Sequence, residues 1–467
     1  MDRHGLICRS IWENPRITQR EMAQRLSLSL GTVNHLIKEC IALGYVKPDD
    51  EKSYLLTAEG RAFLGQFKVD GAVVLAAGFG SRFVPLTFET PKGLLEVFGE
   101  RMVERQIRQL HEAGVRDITV VVGYLKEKFE YLIDKYQVKL LYNPEYSCKN
   151  TLATVYHARD LFKGRNVYLL SSDNWLRENM YHAYECGSWY SLAHADGETS
   201  EWCVSFNKKG RITGAAVGGR DSWFMYGPVY FSREFSKDFF PVLERYYEMP
   251  GTEQFYWEHV LMEILNGECE RRLSHAGVSL PDGWKEPEMF ANCQPENQVY
   301  EFENLEELRE FDPWYQSHSD NQAMELVSRV LKVSEAEIRN IKCLKAGMTN
   351  KSFLFDVGGA SYICRVPGPG TELLINRKQE AAVYRVVGGL GISERTVYFD
   401  ENTGYKISKY YDGARNGDPH SQEDISKCME LLRRFHQSGL KVDHAFDIWE
   451  RTHFYENLCR QHGGIPF

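Results

Sequence analysis

The fold of this chain is decided by Ala72-Val-Val-Leu-Ala-Ala-Gly78-Phe-Gly80-Ser81-Arg82-Phe-Val-Pro85-Leu-Thr87 and, just beyond, Thr90-Pro91-Lys92-Gly93-Leu94-Leu95. The apolar run 72–76 has the length and flanks of a buried parallel strand. It opens into a loop where Gly78 and Gly80 can turn backbone N–H groups toward an anion with no Cβ in the way. Arg82 and Lys92 bring two cations to the same loop. Strand, glycine turn and cations together predict a polyphosphate site. Two familiar phosphate motifs do not fit: a Rossmann fingerprint needs a small residue where Phe83 stands, and a P-loop needs Gly-Lys-Ser/Thr to close the turn.

Working outward, strands and helices alternate from residue 69 to 312, which predicts a mainly parallel α/β domain. A helix over 102–113 stops at Gly114, and Ile118–Val122 reads as the next strand. A helix over 126–135, a strand over 138–142 and a helix after Asn150-Thr151 follow. The buried strand 167–170 then delivers Ser171-Ser172-Asp173-Asn174 at its carboxyl end, the edge where open α/β sheets bind ligands. A carboxylate there can hold Mg²⁺ against nucleotide phosphates, although an isolated Asp after a strand reads equally well as a turn or cap residue.

The full pattern L-A-A-G-x-G-x-R-x-x-P-x-T-x-x-x-P-K-x-L-L over 75–95 resembles the signature of nucleotidyltransferases that make NDP-sugars and CDP-alcohols. Glu201-Trp202, Gly210-Arg211-Ile212, Gly218-Gly219 and Phe255-Tyr256-Trp257-Glu258 make residues 70–310 similar to the bacterial CTP:phosphocholine cytidylyltransferases. That resemblance implies a Rossmann-like, GT-A-type domain that joins CTP and phosphocholine into CDP-choline and pyrophosphate. It places Arg82 and the Gly78, Gly80 and Ser81 amides on the β- and γ-phosphates, and Lys92 on the α-phosphate. The Leu75, Ala76 and Ala77 backbone and Asn150 would contact the nucleoside. Val299-Tyr300-Glu301-Phe302-Glu303 resembles the family's closing strand, with Glu-x-Glu where Glu-x-Asp is expected. Alternation puts Glu301 and Glu303 on one strand face, so Asp173, Glu301 and Glu303 form the implied Mg²⁺ set.

Five of the nine tryptophans fall within 171–260. Most aromatic residues at such spacings build core, but a quaternary ammonium is held by an aromatic cage. Trp175, Trp202, Trp223 and Trp257, with Glu258, are the expected choline site. Two other functions compete: transfer to a sugar 1-phosphate, which the aromatic cluster disfavours, and a choline-pathway regulator that binds DNA and senses ligand through the α/β domain.

Residues 1–68 form a separate unit. Ile17, Met22, Ala23 and Leu26 share a helix face with Thr18 and Glu21 as a capping box, and Val33, Leu36, Ile37, Cys40 and Ile41 line a second helix. Tyr45-Val46-Lys47 and Tyr54-Leu55-Leu56 flank a hairpin turn. The arrangement resembles the winged helix-turn-helix of MarR-type regulators, whose second helix would offer Thr32, Asn34, His35 and Lys38 to bases. Ten Lys/Arg against nine Asp/Glu over 1–70 supply little phosphate attraction. DNA binding and a dimerisation module that would make a homodimer both stay open.

Beyond a polar link at 312–321, residues 322–467 resemble part of the choline kinase and aminoglycoside phosphotransferase family. The Gly347-Met-Thr-Asn350 turn would cover ATP phosphates, Arg365 would replace the basic residue of the third strand, and Glu380 would pair with it. The family's catalytic His-x-Asp loop and metal-binding Asp are not found, so this kinase-like lobe is expected to be inactive. Asp447-Ile-Trp-Glu450 reads as an amphipathic helix, not a metal motif.

The whole is a multidomain α/β chain of 467 residues with net charge −9 and 43% hydrophobic content, unlike a dedicated nucleic-acid binder. Eleven cysteines without a Cys-x-x-Cys pair, no signal-peptide core and no membrane-length apolar run predict a cytoplasmic protein with free thiols.

Overall fold

The computed structural model describes residues 1–49, 53–344 and 349–463. Its contacts divide the chain into two compact units, residues 1–79 with 90–302 and residues 80–89 with 303–467.

The first unit opens with helices α1 (Arg3–Glu13), α2 (Gln19–Arg25) and α3 (Leu30–Ala42). A hairpin of β1 (Val46–Pro48) and β2 (Tyr54–Leu56) follows, then α4 (Ala58–Gly65). The expected capping box forms: Glu21 N–H donates to the Thr18 hydroxyl, and Thr18 N–H donates to the Glu21 carboxylate. Two N–H groups that the first turn would leave unmet are thus satisfied locally. Ile17, Met22, Val33, Leu36, Ile37 and Cys40 close over one core with Ile7, Cys8 and Ile11 of α1. This is a winged helix-turn-helix, and residues 50–52 of its hairpin lie outside the described residues.

Helix α1 also fastens that module to the rest of the unit. Arg9 Nη1 donates to Glu185 Oε2 at 2.7 Å and to the Tyr184 carbonyl at 3.2 Å. The Tyr168 hydroxyl donates to Glu185 Oε1 at 2.8 Å, and Trp12 meets Tyr184 edge to face. The Arg9 and Glu185 side chains are 13% and 4% exposed, so the ion pair is inside the protein.

The α/β part runs β3 (Gly71–Ala76), β4 (Glu96–Val97), β5 (Glu100–Arg101), α5 (Met102–Glu112), β6 (Ile118–Val122), α6 (Tyr131–Tyr136), β7 (Lys139–Tyr142), α7 (Thr151–Ala158), β8 (Val167–Ser171) and β9 (Asn174–Leu176). It continues through β10 (Trp189–Phe206), β11 (Ile212–Phe231), α8 (Arg233–Glu248), α9 (Trp257–Leu265), α10 (Cys269–His275), β12 (Phe290–Cys293) and β13 (Val299–Glu301). Seven strands form one sheet in the order β12-β10-β11-β8-β3-β6-β7. β8, β3, β6 and β7 are parallel neighbours. The long β10–β11 hairpin pairs antiparallel to β8, so the sheet is mixed.

The apolar run of β3 is explained by burial on both faces. Ala72, Val74 and Ala76 pack with Val103, Ile107 and Leu110 of α5, and Val73 packs on the opposite side with Val155, Val260 and Phe239. A period of two therefore serves two helical layers.

In the second unit, α11 (Leu305–Phe311) and α12 (Gln322–Leu331) precede an antiparallel sheet. Its strands are β14 (Arg339–Cys343), β15 (Asn350–Val357), β16 (Ala360–Pro367), β17 (Thr396–Phe399) and β18 (Lys406–Lys409), in the order β14-β15-β16-β18-β17. Helix α13 (Arg377–Val387) follows β16 and carries Glu380, whose Oε1 accepts from Arg365 Nη1 at 2.5 Å. Asn350 Oδ1 accepts from Arg377 Nη2 at 3.2 Å. Of the turn predicted over Gly347–Asn350, residues 347 and 348 lie outside the described residues, and Asn350 begins β15. The unit ends in α14 (Gln422–Gln437) and α15 (Ile448–Gln461), and Asp447 caps α15 by accepting from the Trp449 and Glu450 N–H groups. Among the described residues, no helix is long and apolar enough to cross a membrane.

Candidate active site

The carboxyl ends of β3 and β8 lie side by side because the strands are paired, with Leu75 opposite Ser171. The edge is drawn tight by Ser172 N–H donating to the Leu75 carbonyl at 2.9 Å and Tyr124 N–H to the Ala77 carbonyl at 3.0 Å. The carbonyls of Leu75 and Ala77 are therefore engaged in holding the edge together. Gly78 follows at its rim, and a Cβ there would meet no protein atom within 4 Å. The chain's own packing does not call for glycine at this position, whereas the close approach of a ligand would.

Across this edge Lys92 Nζ stands 2.7 Å from Asp173 Oδ2, with side chains 11% and 22% exposed. Residues the sequence keeps 81 positions apart are brought together by the β3–β8 pairing and by the contact of Gly93 with Ser172. A Cβ on Gly93 would lie 2.5 Å from Ser172 Oγ and 3.0 Å from the Ser172 carbonyl oxygen. Only glycine lets the Lys92 segment come so close to the Asp173 turn.

Asp173 precedes β9, which pairs antiparallel with β13 and puts Glu301 opposite Asn174. Asn174 Nδ2 donates to Glu301 Oε2 at 3.2 Å, and the Tyr226 hydroxyl donates to the Glu301 carbonyl at 3.3 Å while accepting from Glu301 N–H at 2.6 Å. The sequence expected Glu303 to share a strand face with Glu301, but β13 ends at Glu301. Asn304 starts the next helix as its N-cap, and Glu303 N–H is given to Glu307 Oε2 at 2.7 Å, which takes Glu303 out of the strand. In the second unit Glu303 is ion-paired with Arg82. The Arg82 turn is fixed within that unit by Gly80, which has φ +68°, and by the Thr87 hydroxyl donating to the Gly80 carbonyl at 2.9 Å.

Asn150 caps α7: its Oδ1 accepts from Thr151 N–H at 2.8 Å, while its own N–H donates to the Glu253 carbonyl at 2.8 Å. The loop before it turns on Glu145, which accepts from the Tyr247 hydroxyl at 2.6 Å and pairs with Lys149 at 2.7 Å and His157 at 2.9 Å. Although burial opposes it, these partners hold the Glu145 carboxyl down at about 2.

The tryptophans do not gather into one cage. Trp175 lies with its ring 4.4 Å under the Arg105 guanidinium, edge-on to Tyr300 and Phe98. Trp257 is core, 3% exposed, stacked 5.9 Å from Tyr190 and against Phe231 and Phe239. Trp202 meets Tyr256 and His259, and Trp223 meets His194. Glu258, next to Trp257 on α9, is hydrogen-bonded to Tyr190 of β10. Its Oε1 accepts from the Tyr190 hydroxyl at 3.4 Å, and its carboxyl is pushed up to about 8 by burial, with the Glu301 charge adding to the shift. Sequence reasoning gave no role to Asn174, Tyr190 or Tyr226. Their juxtaposition depends on the β9–β13 register and on the packing of α9 against β11, neither of which has a local sequence signal.

Mg²⁺ takes one or two carboxylates and completes its shell with phosphate oxygens and water. Asp173, just before β9, and Glu301, opposite Asn174 on β13, are hard oxygen donors that suit that demand. A protein-only cage is not built, since among the described residues no group of three or more His, Cys, Asp or Glu could hold a metal.

A nucleotidyl transferase family model matches residues 71–186, and a winged helix-turn-helix DNA-binding model matches residues 4–47. The 2-aminoethylphosphonate cytidylyltransferase of Lancefieldella rimae is 36% identical over 192 residues, covering 41% of this chain and 78% of that protein. The choline-phosphate cytidylyltransferase of Streptococcus pneumoniae is 26% identical over 241 residues, 52% of this chain and 96% of that protein. A solved CTP:phosphocholine cytidylyltransferase from Streptococcus pneumoniae, 26% identical, covers 53% of this chain and 99% of that chain with a TM-score of 0.46. The glycine loop, the cation–carboxylate pair on its sheet edge and the identity to the Lancefieldella rimae cytidylyltransferase agree: the chain belongs to the nucleotidyltransferase family, as an enzyme of the cytidylyltransferase type.

Proposed function

We propose that the chain transfers the cytidylyl group of CTP to a small acceptor with a phosphate or phosphonate at one end and a nitrogen cation at the other. Phosphocholine is the acceptor named by the sequence resemblance. The observation that carries this reading is the Lys92–Asp173 pair, a cation and a carboxylate 2.7 Å apart at the carboxyl edge of β3 and β8. An acceptor oxygen attacks the α-phosphorus of CTP in line. The bond from that phosphorus to the oxygen leading to the β-phosphate breaks, and pyrophosphate leaves with the electron pair. With a second pKa near about 6, the acceptor phosphate is already largely dianionic at neutral pH, so no general base is required. Positioning and charge neutralisation carry the rate.

Lys92, held beside Asp173 at 2.7 Å, is the cation for the α-phosphate. The N–H groups around Gly78 take part of the remaining phosphate charge. Asp173 and Glu301 are the residues that would hold Mg²⁺, which when bound offsets phosphate charge. Pyrophosphate release, measured with CTP, UTP, ATP or GTP against phosphocholine, 2-aminoethylphosphonate and glucose 1-phosphate, tests the reading. Release is expected with CTP and the nitrogen-bearing acceptors. Release confined to glucose 1-phosphate would replace this reading with sugar-1-phosphate nucleotidylyl transfer.

DNA is proposed as a second partner, supported by the exposure of His35 and Lys38 on α3, with Thr32 half-buried beside them. Asn34 is turned partly inward, its Nδ2 donating to Gln19 Oε1 at 3.2 Å. With charges nearly balanced over 1–70, affinity for duplex from the protein's own upstream region is expected to fall only shallowly with salt, as few phosphates are neutralised. Fluorescence anisotropy over a salt series checks this, and no binding even at low salt would contradict it.

A further inference from the structure

We propose that the second unit takes part in nucleotide binding: Asn321 and Lys351 hold residues 80–89 in the shape that receives the CTP phosphates. The inference rests on the cytidylyl-transfer reading above and concerns the nucleotide, not the acceptor. The pattern that begins at Leu75 runs on through Gly80-Ser81-Arg82-Phe-Val-Pro85-Leu-Thr87, and residues 80–89 belong to the same compact unit as 303–467. Within that unit Asn321 Nδ2 donates to the Pro85 carbonyl at 3.2 Å, and Lys351 Nζ donates to the Phe88 carbonyl at 3.2 Å. The Lys351 ammonium also lies 5.3 Å from the centre of the Phe88 ring, and that ring meets Phe353 of β15, centre to centre 6.3 Å. The two donors stand 236 and 263 positions beyond the carbonyls they bind. Asn321 is buried, as are Phe83, Val84, Leu86, Thr87 and Phe88.

The segment's own hydrogen bonds close two short turns, Phe83 N–H to the Gly80 carbonyl and Phe88 N–H to the Pro85 carbonyl, and the Thr87 hydroxyl links them at Gly80. Asn321 and Lys351 pin the second of these turns from outside it. The sequence resemblance gives the Gly80 and Ser81 amides and Arg82 to the β- and γ-phosphates. Amides and a guanidinium bind phosphate well only when they converge, and a loop that must be ordered at the moment of binding loses affinity. A loop anchored in advance avoids that loss. Where only a fraction of the chains hold the competent loop, apparent affinity for CTP falls by that fraction while the rate at saturation is kept. A substitution that merely unfolds the protein does the reverse. It removes active chains, which lowers the rate at saturation and leaves CTP affinity unchanged. The two roles therefore separate in KM and kcat.

The test is steady-state pyrophosphate release by the full chain, with CTP varied at saturating phosphocholine or 2-aminoethylphosphonate, whichever the parent uses. Lys351→Met keeps the aliphatic stem and removes both the donor and the charge. It is expected to raise the KM for CTP about tenfold, the worth of one charged hydrogen bond, and to leave kcat within about twofold. The KM for the acceptor should not move. Lys351→Arg, which retains a donor and a cation, is expected to restore the CTP KM to within about threefold of the parent. Asn321→Ser provides a second arm. Asn321 Oδ1 caps α12 by accepting from Met324 N–H at 3.1 Å, a task serine also performs, so this variant withdraws only the donor to Pro85. Its CTP KM is expected to rise about threefold or more at unchanged kcat. Parental constants in both Lys351→Met and Asn321→Ser would overturn the proposal and leave cytidylyl transfer standing. A lowered kcat at parental CTP KM, with a lowered unfolding temperature, would mark the two residues as structural only and overturn it too. A parent chain that releases no pyrophosphate from CTP with either acceptor would overturn the transfer reading itself, and this inference with it.

Discussion

Lys92→Ala and Asp173→Ala are each expected to reduce pyrophosphate release by about 100-fold or more in kcat, the cost of removing one preorganised charge from a developing transition state. The two side chains sit 2.7 Å apart on the sheet edge and remain partly exposed, so truncating either one leaves the strands beneath untouched. Far-UV circular dichroism and the unfolding temperature should stay close to those of the parent chain. The defects should differ in kind. Losing Lys92 removes a positive charge from the reacting phosphate and should lower kcat with little change in the KM for acceptor. Losing Asp173 removes an oxygen donor, so part of its defect should yield to raised Mg²⁺. Unchanged turnover in either variant would remove that residue from the site.

The largest expected effect on stability lies elsewhere. Glu185→Ala should cost about 3 kcal/mol or more, because it strands the Arg9 guanidinium in the interior with only carbonyl and distant carboxylate partners. The Tyr168 hydroxyl loses its shorter hydrogen bond in the same step. Replacing both charges, as Arg9→Met with Glu185→Leu, should recover much of the loss, since two apolar groups leave nothing buried and unpaired. Urea unfolding read by tryptophan fluorescence gives these differences. Because the pair lies between α1 and the segment leading into β10, the parent's winged helix and α/β sheet are expected to unfold together. A change under 1 kcal/mol in Glu185→Ala would mean that the pair adds little to holding the module in place.

Much of this was readable from local pattern. The run 72–76 became β3, the Thr18–Glu21 box capped α2, and Lys92 and Asp173, singled out separately, meet on one edge. What the sequence could not convey was register and chain termination. Alternation alone put Glu303 beside Glu301, but the Asn304 cap ended the strand first. The aromatic crowding between 171 and 260 suggested a cage, yet ring spacing along a chain says nothing about which ring faces stay free. Arg105, 70 positions before Trp175, was needed to see that one of them is covered. The pairing of Asn174 with Glu301 joins residues 127 apart and has no local signature.

The central claim, cytidylyl transfer to a nitrogen-bearing phosphate or phosphonate, is tested most directly by ³¹P NMR of the chain incubated with CTP, Mg²⁺ and either phosphocholine or 2-aminoethylphosphonate. The account predicts a CDP-linked or CMP–phosphonate anhydride product that appears in equal amount with pyrophosphate. Consumption of CTP without such a product, or product formed only with a sugar 1-phosphate, would contradict it.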